Sequence, residues 1–536
     1  MQIKGYEFHK SLGCDITLKE SDGRGSHTSD ICQLLDQLLE PSPNSIKVVW
    51  NLDAFVAPLL KLLNDDICKM IASPEHKANF GVEGSSTAYS LYYLPDKLLS
   101  ISRSSDGHNK IRAEIYGLNG FFDDSQPKPD SVNAMEELGN RLLVELAKID
   151  IIPRRLTSPI GSFMTSHKLP DFPTINDTPD QFLGAQHYGE KCVGREWREN
   201  FQIGHWSDSE CYAYDLSSAY ASVAARLPDL RFAEYIFSSE FVPGAYWGFL
   251  RGVVTINKDV KISPIIMRRN DGTLINPVGS WETYLDLQEV QFIEREGIGS
   301  FQLKDGWFIK FSHVEKPLEN LIEKLYRART NSDPILNHYL KRVLSGVVGK
   351  LHEHHTETGL GDYFNPIYHS VITTAVRLRV GQLIYENQAL DNIVRVNTDG
   401  LIADRALTIP TGKGLGKWRF VPPQATIVLS PELVFYGDKR PNSMTYATLR
   451  SLICKHPRSS LYEAKFNRRV TLLEAMRDKD LSRVGENITC SSHVDLTMLA
   501  QTQVRSFLKF PKTGEALIEN KYKSEPIRID IKPKLK

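Results

Sequence analysis

Two aspartates far apart in this 536-residue chain each stand at the end of a strand-like run. Asp215 follows Cys211-Tyr-Ala-Tyr214, and Asp399 lies in a turn between Asn392-Ile-Val-Arg-Val396 and Leu401-Ile-Ala403, a pattern that predicts a β-hairpin. Alone, such residues are ordinary helix caps and turn formers. Between them, however, stands Lys341-Arg-Val-Leu-Ser345-Gly-Val-Val348-Gly349-Lys350, which reads as a helix with Leu340, Val343, Leu344, Val347, Val348 and Leu351 at helical spacing. Carboxylates and cations are combined in this way by phosphoryl transfer, where catalysis rests on positioning and on neutralising developing charge. Two carboxylates remote in sequence must then converge, most simply from the ends of adjacent strands, to hold two ions about 3.5–4 Å apart. Oxygen ligands suit Mg²⁺, with Mn²⁺ as the alternative.

Upstream, Pro317-Leu-Glu-Asn-Leu-Ile-Glu-Lys-Leu-Tyr-Arg327-Ala-Arg329 is a second amphipathic helix, joined to the first by Thr330-Asn-Ser-Asp-Pro334. Two antiparallel helices would thus carry cations toward one end. The length suggests two to four domains, and 41% hydrophobic with 24% charged residues is ordinary for a soluble globular chain. Lys+Arg and Asp+Glu are both 65, so any binding of nucleic acid must rely on local basic patches such as Arg268-Arg269, Lys465 to Arg469, Lys509 to Lys512 and Lys532 to Lys536. Seven scattered cysteines without a Cys-x-x-Cys pair indicate neither zinc nor a disulfide framework. An intracellular, reducing location is expected, with no export signal and no apolar run of about 18 residues to span a membrane. His352-Glu-His354-His355 reads as a polar helix terminus rather than a metal site.

Tyr214-Asp215-Leu216-Ser217-Ser218-Ala219-Tyr220, the Lys341 to Lys350 helix and Val396-Asn397-Thr398-Asp399-Gly400 resemble, in order and distance, the polymerase motifs of family B DNA polymerases. The resemblance is closest to the protein-primed type of phages and linear plasmids. Cys192-Val-Gly194-Arg195-Glu196 resembles that family's linker between exonuclease and polymerase domains. Trp281 to Glu294, Phe364 to Arg377 and Leu415-Gly-Lys-Trp418 extend the likeness over residues 185–435. It implies an α+β multidomain fold, a right-hand polymerase of palm, fingers and thumb with an N-terminal RNase H-like, exonuclease-like domain. The implied divisions are 1–184, exonuclease-like; 185–314, first part of the palm with an insertion; 315–352, fingers; 353–435, second part of the palm; and 436–536, thumb and tail. By the same resemblance Asp215, Asp399 and the Leu216 carbonyl hold two Mg²⁺ ions. Arg329 and Lys341 bind the triphosphate, Tyr220 screens the sugar, and Ser345 and Leu216 line the nucleotide site. Gly194, Arg195, Gly349, Lys350, Tyr436 and Lys439 are the expected contacts to DNA.

Several positions depart from the family. Asn397 stands for the first of two aspartates and would be at most a weak ligand, and Ser345 and Val348 replace an asparagine and a tyrosine. No lysine stands in Pro431 to Tyr436, where a Lys-x-Tyr element is expected. For the exonuclease, Trp50-Asn51-Leu52-Asp53 is similar to one carboxylate element. Cys14-Asp15-Ile16-Thr17 lacks the glutamate of another, with Glu20 out of spacing, and the helix Val132 to Glu145 has no Tyr-x-x-x-Asp. An incomplete carboxylate set cannot organise two metals, so the expectation is a polymerase without proofreading. Primer-template DNA and deoxynucleoside triphosphates are the expected partners, with a terminal protein or processivity factor as a further one, and a virus, plasmid or mobile element is the expected replicon. The interval from Tyr220 to Lys341 has room for the insertion that grips a terminal protein or duplex; that from Gly349 to Asn397 has none for the one that encircles DNA, so modest processivity is expected. The alternative is a polymerase-fold protein that binds nucleic acid with impaired synthesis. RNA-directed or template-independent synthesis would use the same two carboxylates.

Overall fold

The computed structural model describes residues 2–10, 16–20, 25–28, 30–41, 44–73, 75–105, 109–122, 128–169, 180–194, 196–208, 210–330, 333–355, 359–429, 434–437, 446–456, 458–459, 461–484, 486–495, 504–507, 509 and 511–530. The N-terminal third is built on eight strands: β1 (Gln2–Lys10), β2 (Ile16–Glu20), β3 (Gly25–Thr28), β4 (Ser45–Val49), β5 (Lys77–Gly81), β6 (Ala88–Leu94), β7 (Leu98–Ser105) and β8 (Asn109–Gly117). They lie in the order β3-β2-β1-β4-β8-β7-β6-β5, with β4 parallel to both β1 and β8 and the other pairs antiparallel. Along β6 burial alternates residue by residue, as the two-residue period of a strand requires. One face is covered by the helices Ile31–Leu39 and Leu52–Lys61, which bury Leu34, Leu38, Val56 and Leu59 against Leu91 and Ile101. The other receives Val132–Ala147 through Met135 and Leu142, packed with Ile3 and Val48. Cys14 and Asp15 lie outside the described residues, and Ile16 and Thr17 open β2 rather than the central strand β1.

A second five-stranded sheet carries both aspartates. Its order is Trp418–Val421, Tyr212–Leu216, Gly400–Ala403, Ile393–Asn397, Arg198–Asn200, all antiparallel. The expected hairpin is therefore present, and Asp215 lies within its strand instead of following it. The helix Pro366–Glu386 backs this sheet, burying Val376, Val380, Leu383 and Ile384 against Tyr214, Leu216, Val396 and Leu401. Pro366 takes the first helical position and Asn365 accepts from the Tyr368 amide at 3.0 Å, a start in which Pro loses no hydrogen bond. The two cation-bearing helices run Glu319–Thr330 and Pro334–Lys350, and the second buries Leu340, Val343, Leu344, Val347 and Val348.

Two further sheets close the molecule. Ala233–Ser238, Gly299–Phe311, Trp247–Ile256, Val278–Asp286 and Arg528–Asp530 form one; Val434–Tyr436, Thr426–Val428, Gln202–Trp206, Tyr522–Pro526 and Arg505–Phe507 form the other. Strands of the segment 436–536 complete sheets that begin in earlier parts of the chain. Tyr522–Pro526 pairs antiparallel with Gln202–Trp206, and Arg528–Asp530 runs parallel to Val278–Asp286. Both edges would otherwise leave backbone N–H and C=O groups unpaired. Among the described residues no helix is long and apolar enough to cross a membrane, and the described cysteines are free.

Candidate active site

Strand pairing brings the two aspartates together. Asp215 is the cross-strand partner of Gly400, and the Leu216 amide donates to the Asp399 carbonyl at 3.1 Å. Asp399 is the second residue of a two-residue turn whose first, Thr398, has φ +62°. A β-branched residue in the left-handed region is strained, and such strain persists where surrounding contacts enforce it. Here the Thr398 amide donates to the Trp197 carbonyl at 2.7 Å and its hydroxyl to Glu196 at 3.4 Å.

Asp215, Asp399, Leu216, Tyr220, Arg329, Lys341, Ser345, Gly194 and Gly349 line one cavity of about 1090 Å³. After Asp215 the chain turns through Ser218, at φ +48°, into the helix Ala219–Ala224 that bears Tyr220. The Ser218 hydroxyl accepts from Arg329 Nη1 at 2.8 Å, while Arg329 Nε donates to Asn337 at 3.4 Å. Arg329 thus ties both cation-bearing helices to the loop beside Asp215, and burial lowers its pKa. Lys341 is exposed on the cavity wall, and Ser345 donates its hydroxyl to the Lys341 carbonyl at 3.0 Å. Burial, with smaller contributions from Glu196 and Asp399, raises the Tyr220 phenol above its ordinary range and keeps it neutral.

The Asp399 carboxyl is pushed up to about 6, first by burial and then by the Asp215 carboxylate. Two like charges held together in a partly buried site are what a bound cation relieves. Two carboxylates and a neighbouring backbone carbonyl, all hard oxygen donors, fit Mg²⁺. Among the described residues no group of three or more His, Cys, Asp or Glu side chains is disposed to hold a metal.

Other expected site residues lie elsewhere. Asn397, read as a weak ligand, is exposed, accepts from Arg395 at 3.2 Å and is absent from the cavity wall; as the last paired residue of its strand it faces Arg198 across the sheet, ahead of the turn that carries Asp399. Lys350 pairs with Glu353 at 2.6 and 2.7 Å, and Tyr436 is buried with its hydroxyl donating to the Pro422 carbonyl at 2.7 Å. Arg195 and Lys439 fall outside the described residues.

The cavity also holds residues that the sequence did not mark as ligands: Glu196, Arg198, Arg419, His352 and His369. Glu196 and Arg198 form an ion pair. Arg419 is the second cross-strand partner of Asp215, opposite Gly400, and donates to its carboxylate. Only the register of a strand from the far end of the domain reveals that contact. The His352 and His369 rings stack at 4.6 Å, and burial pushes His369 down to about 4, so both are neutral near pH 7.

A smaller cavity of about 150 Å³ lies in the N-terminal unit, lined by Tyr6 and Glu7 of β1, Trp50 and Asn51 after β4, and Lys128 to Met135. Asp53 does not line it. Its carboxylate accepts from the Tyr93 hydroxyl and, at 2.9 Å, from the Asp96 amide.

No protein-family model and no curated protein matches the chain. Solved structures do. Phi29 DNA polymerase in ternary complex with primer-template DNA and incoming nucleotide matches with a TM-score of 0.57 at 12% identity, covering 92% of this chain and 99% of that one. Its orthorhombic crystal form matches with the same TM-score at 13% identity, covering 92% and 100%. The chain has the phi29 DNA polymerase fold. Nearly the whole length of phi29 DNA polymerase is spanned, so the likeness includes the N-terminal eight-stranded unit as well as the sheet of the two aspartates. At this identity the likeness shows the fold, and the chemistry rests on the residues of the cavity.

Proposed function

We propose that this chain is a DNA-templated DNA polymerase that extends a primer 3′-hydroxyl by two-metal phosphoryl transfer and lacks proofreading. The observation that carries the reading is the convergence of Asp215, Asp399, Tyr220, Arg329 and Lys341 on one cavity of a phi29-like fold. Asp215, Asp399 and the Leu216 carbonyl would hold two Mg²⁺ ions, which when bound neutralise the phosphates and favour the ionised primer hydroxyl. Arg329, fixed by Ser218 and Asn337, offers a planar fork to the triphosphate, and Lys341 a mobile point charge. The neutral ring of Tyr220, partly packed in the core, forms a wall against a 2′-hydroxyl. Phi29 DNA polymerase has been seen with primer-template DNA and nucleotide, which supports the same partners here.

The absence of proofreading is inferred from the incomplete carboxylate set of the N-terminal unit: two-metal hydrolysis needs several carboxylates, Thr17 stands where a glutamate is expected, and the helix Val132–Ala147 carries no Tyr-x-x-x-Asp. The N-terminal unit would then serve as a guide for single-stranded template, and replication of a virus, plasmid or mobile element is the role that fits.

Primer extension on labelled DNA with Mg²⁺ or Mn²⁺, run beside Asp399→Ala, tests the reading. Templated extension that the substitution reduces by at least three orders of magnitude, with no shortening of the primer when nucleotides are withheld, is the expected result. DNA binding without extension in either metal would overturn it in favour of a binding protein with impaired synthesis.

A further inference from the structure

Arg419 stands directly opposite Asp215 in the sheet and donates Nη2–H to its Oδ2. Asp215 is the one side-chain partner of Arg419 among the described residues. The other two arginines of the cavity are engaged differently: Arg198 pairs with Glu196, and Arg329 is anchored to Ser218 and Asn337. Packing does not hold the Arg419–Asp215 contact, since the two side chains are 54% and 36% exposed. An exposed ion pair of this kind shifts an equilibrium by only about two- to five-fold, so it exchanges readily.

Arg419 takes up one lone pair of Oδ2, and its positive charge both partly neutralises the carboxylate and repels a second cation approaching it. Arg419 and a divalent cation therefore compete electrostatically for Asp215. An arginine released at this point is already on the wall that presents Arg329 and Lys341, where a planar fork matches phosphate oxygens. We propose that Arg419 is an exchangeable counter-ion: it yields Asp215 to the metal that accompanies the nucleotide and transfers its fork to the triphosphate. The inference rests on the reading of Asp215 as a metal ligand. It gives the site a reason to keep a cation beside an essential carboxylate, because a charge-balanced pair replaces an uncompensated anion until substrate binds.

Mn²⁺ binding to the full chain, measured by electron paramagnetic resonance without DNA or nucleotide, tests the first half. Arg419→Ala and Arg419→Gln should bind Mn²⁺ about two- to five-fold more tightly than the parent. The second half is tested by equilibrium binding of the next complementary deoxynucleoside triphosphate to the protein on a dideoxy-terminated primer-template. There Arg419→Ala should bind several-fold more weakly, with Arg419→Lys intermediate. Unchanged affinity in either assay overturns the exchange. Asp215→Asn is the control, expected to weaken Mn²⁺ binding; if it does not, the assignment of Asp215 as ligand falls, a different failure from that of Arg419.

Discussion

On the cavity wall, Gly194 approaches a buried charge so closely that a side chain there would clash with it. A Cβ there would lie 2.2 Å from Arg377 Nη1, and Arg377 is fixed by Glu289 at 2.6 Å with both side chains 3% exposed. Gly194→Ala should therefore destabilise the fold by about 1–3 kcal/mol, read by denaturant unfolding, and reduce primer extension with it. The same buried network contains Asp286, the cap of the helix Leu287–Glu296. Burial, opposed by the Gln288 amide and reinforced by Glu289, pushes its carboxyl up to about 7. The unfolded chain titrates near 4, so the native state holds this proton more tightly. The penalty of burying the anion is fully present above pH 7 and is relieved as pH falls from 7 toward 4. Asp286→Asn keeps an amide oxygen for the Gln288 amide, which Asp286 accepts at 2.9 Å, and removes the charge. It should stabilise the protein by about 1–3 kcal/mol at pH 8, with the gain fading toward pH 4. Equal melting temperatures at pH 8 would show that Arg377 already neutralises the site.

At the scale of elements, the short strand Arg198–Asn200 decides how firmly the Asp399 hairpin is held. It pairs with Ile393–Asn397 on one edge, and its Glu199 is clamped from both sides. Trp197 Nε1 donates to one oxygen at 2.8 Å and Arg505 Nη1 to the other at 2.8 Å. Arg505 also covers the Phe201 ring at 4.7 Å and donates to the Lys261 carbonyl at 2.9 Å. Removing one member of a buried pair leaves the other uncompensated, so Glu199→Gln should cost about 3–5 kcal/mol, and Glu199→Gln with Arg505→Met should cost less than the sum of the singles. Additive losses in that cycle would mean the pair is not coupled. Local pattern made much of this region legible: the hairpin around Asp399 from its alternation and turn, and the Lys341 helix from its apolar stripe, which ends within the expected span. The clamp was not legible. Arg505 and Glu199 are separated by most of the chain, and the short strands from Tyr522 to Asp530 carry no periodicity that names their partners. Arg419 escaped for the same reason, since strand register alone places it on Asp215; motif position marks Asn397 as at most a weak ligand, and its contact with Arg395 and its register opposite Arg198 emerge only in the fold.

On the scale of the whole molecule, the proposed function raises the question of what would hold DNA at the cavity. Affinity for a duplex scales with the phosphates neutralised by Lys and Arg, and here 65 such residues are balanced by 65 acids. The cavity concentrates four cations, Arg198, Arg329, Lys341 and Arg419, of which Arg198 and Arg419 are already engaged with carboxylates. A topological grip could substitute for charge. Between the helices Pro334–Lys350 and Pro366–Glu386, however, the described residues provide only the two-residue strands His354–His355 and Gly359–Leu360, too short to enclose a duplex. On the proposed function, balanced charge and the lack of an enclosing element among the described residues of that interval predict frequent dissociation. Primer extension begun together with an excess of unlabelled DNA trap should then yield short products from each binding event, and raising salt from low to physiological concentration should shorten them further. Products of thousands of nucleotides against the trap would overturn this and point to a grip supplied by another part of the fold.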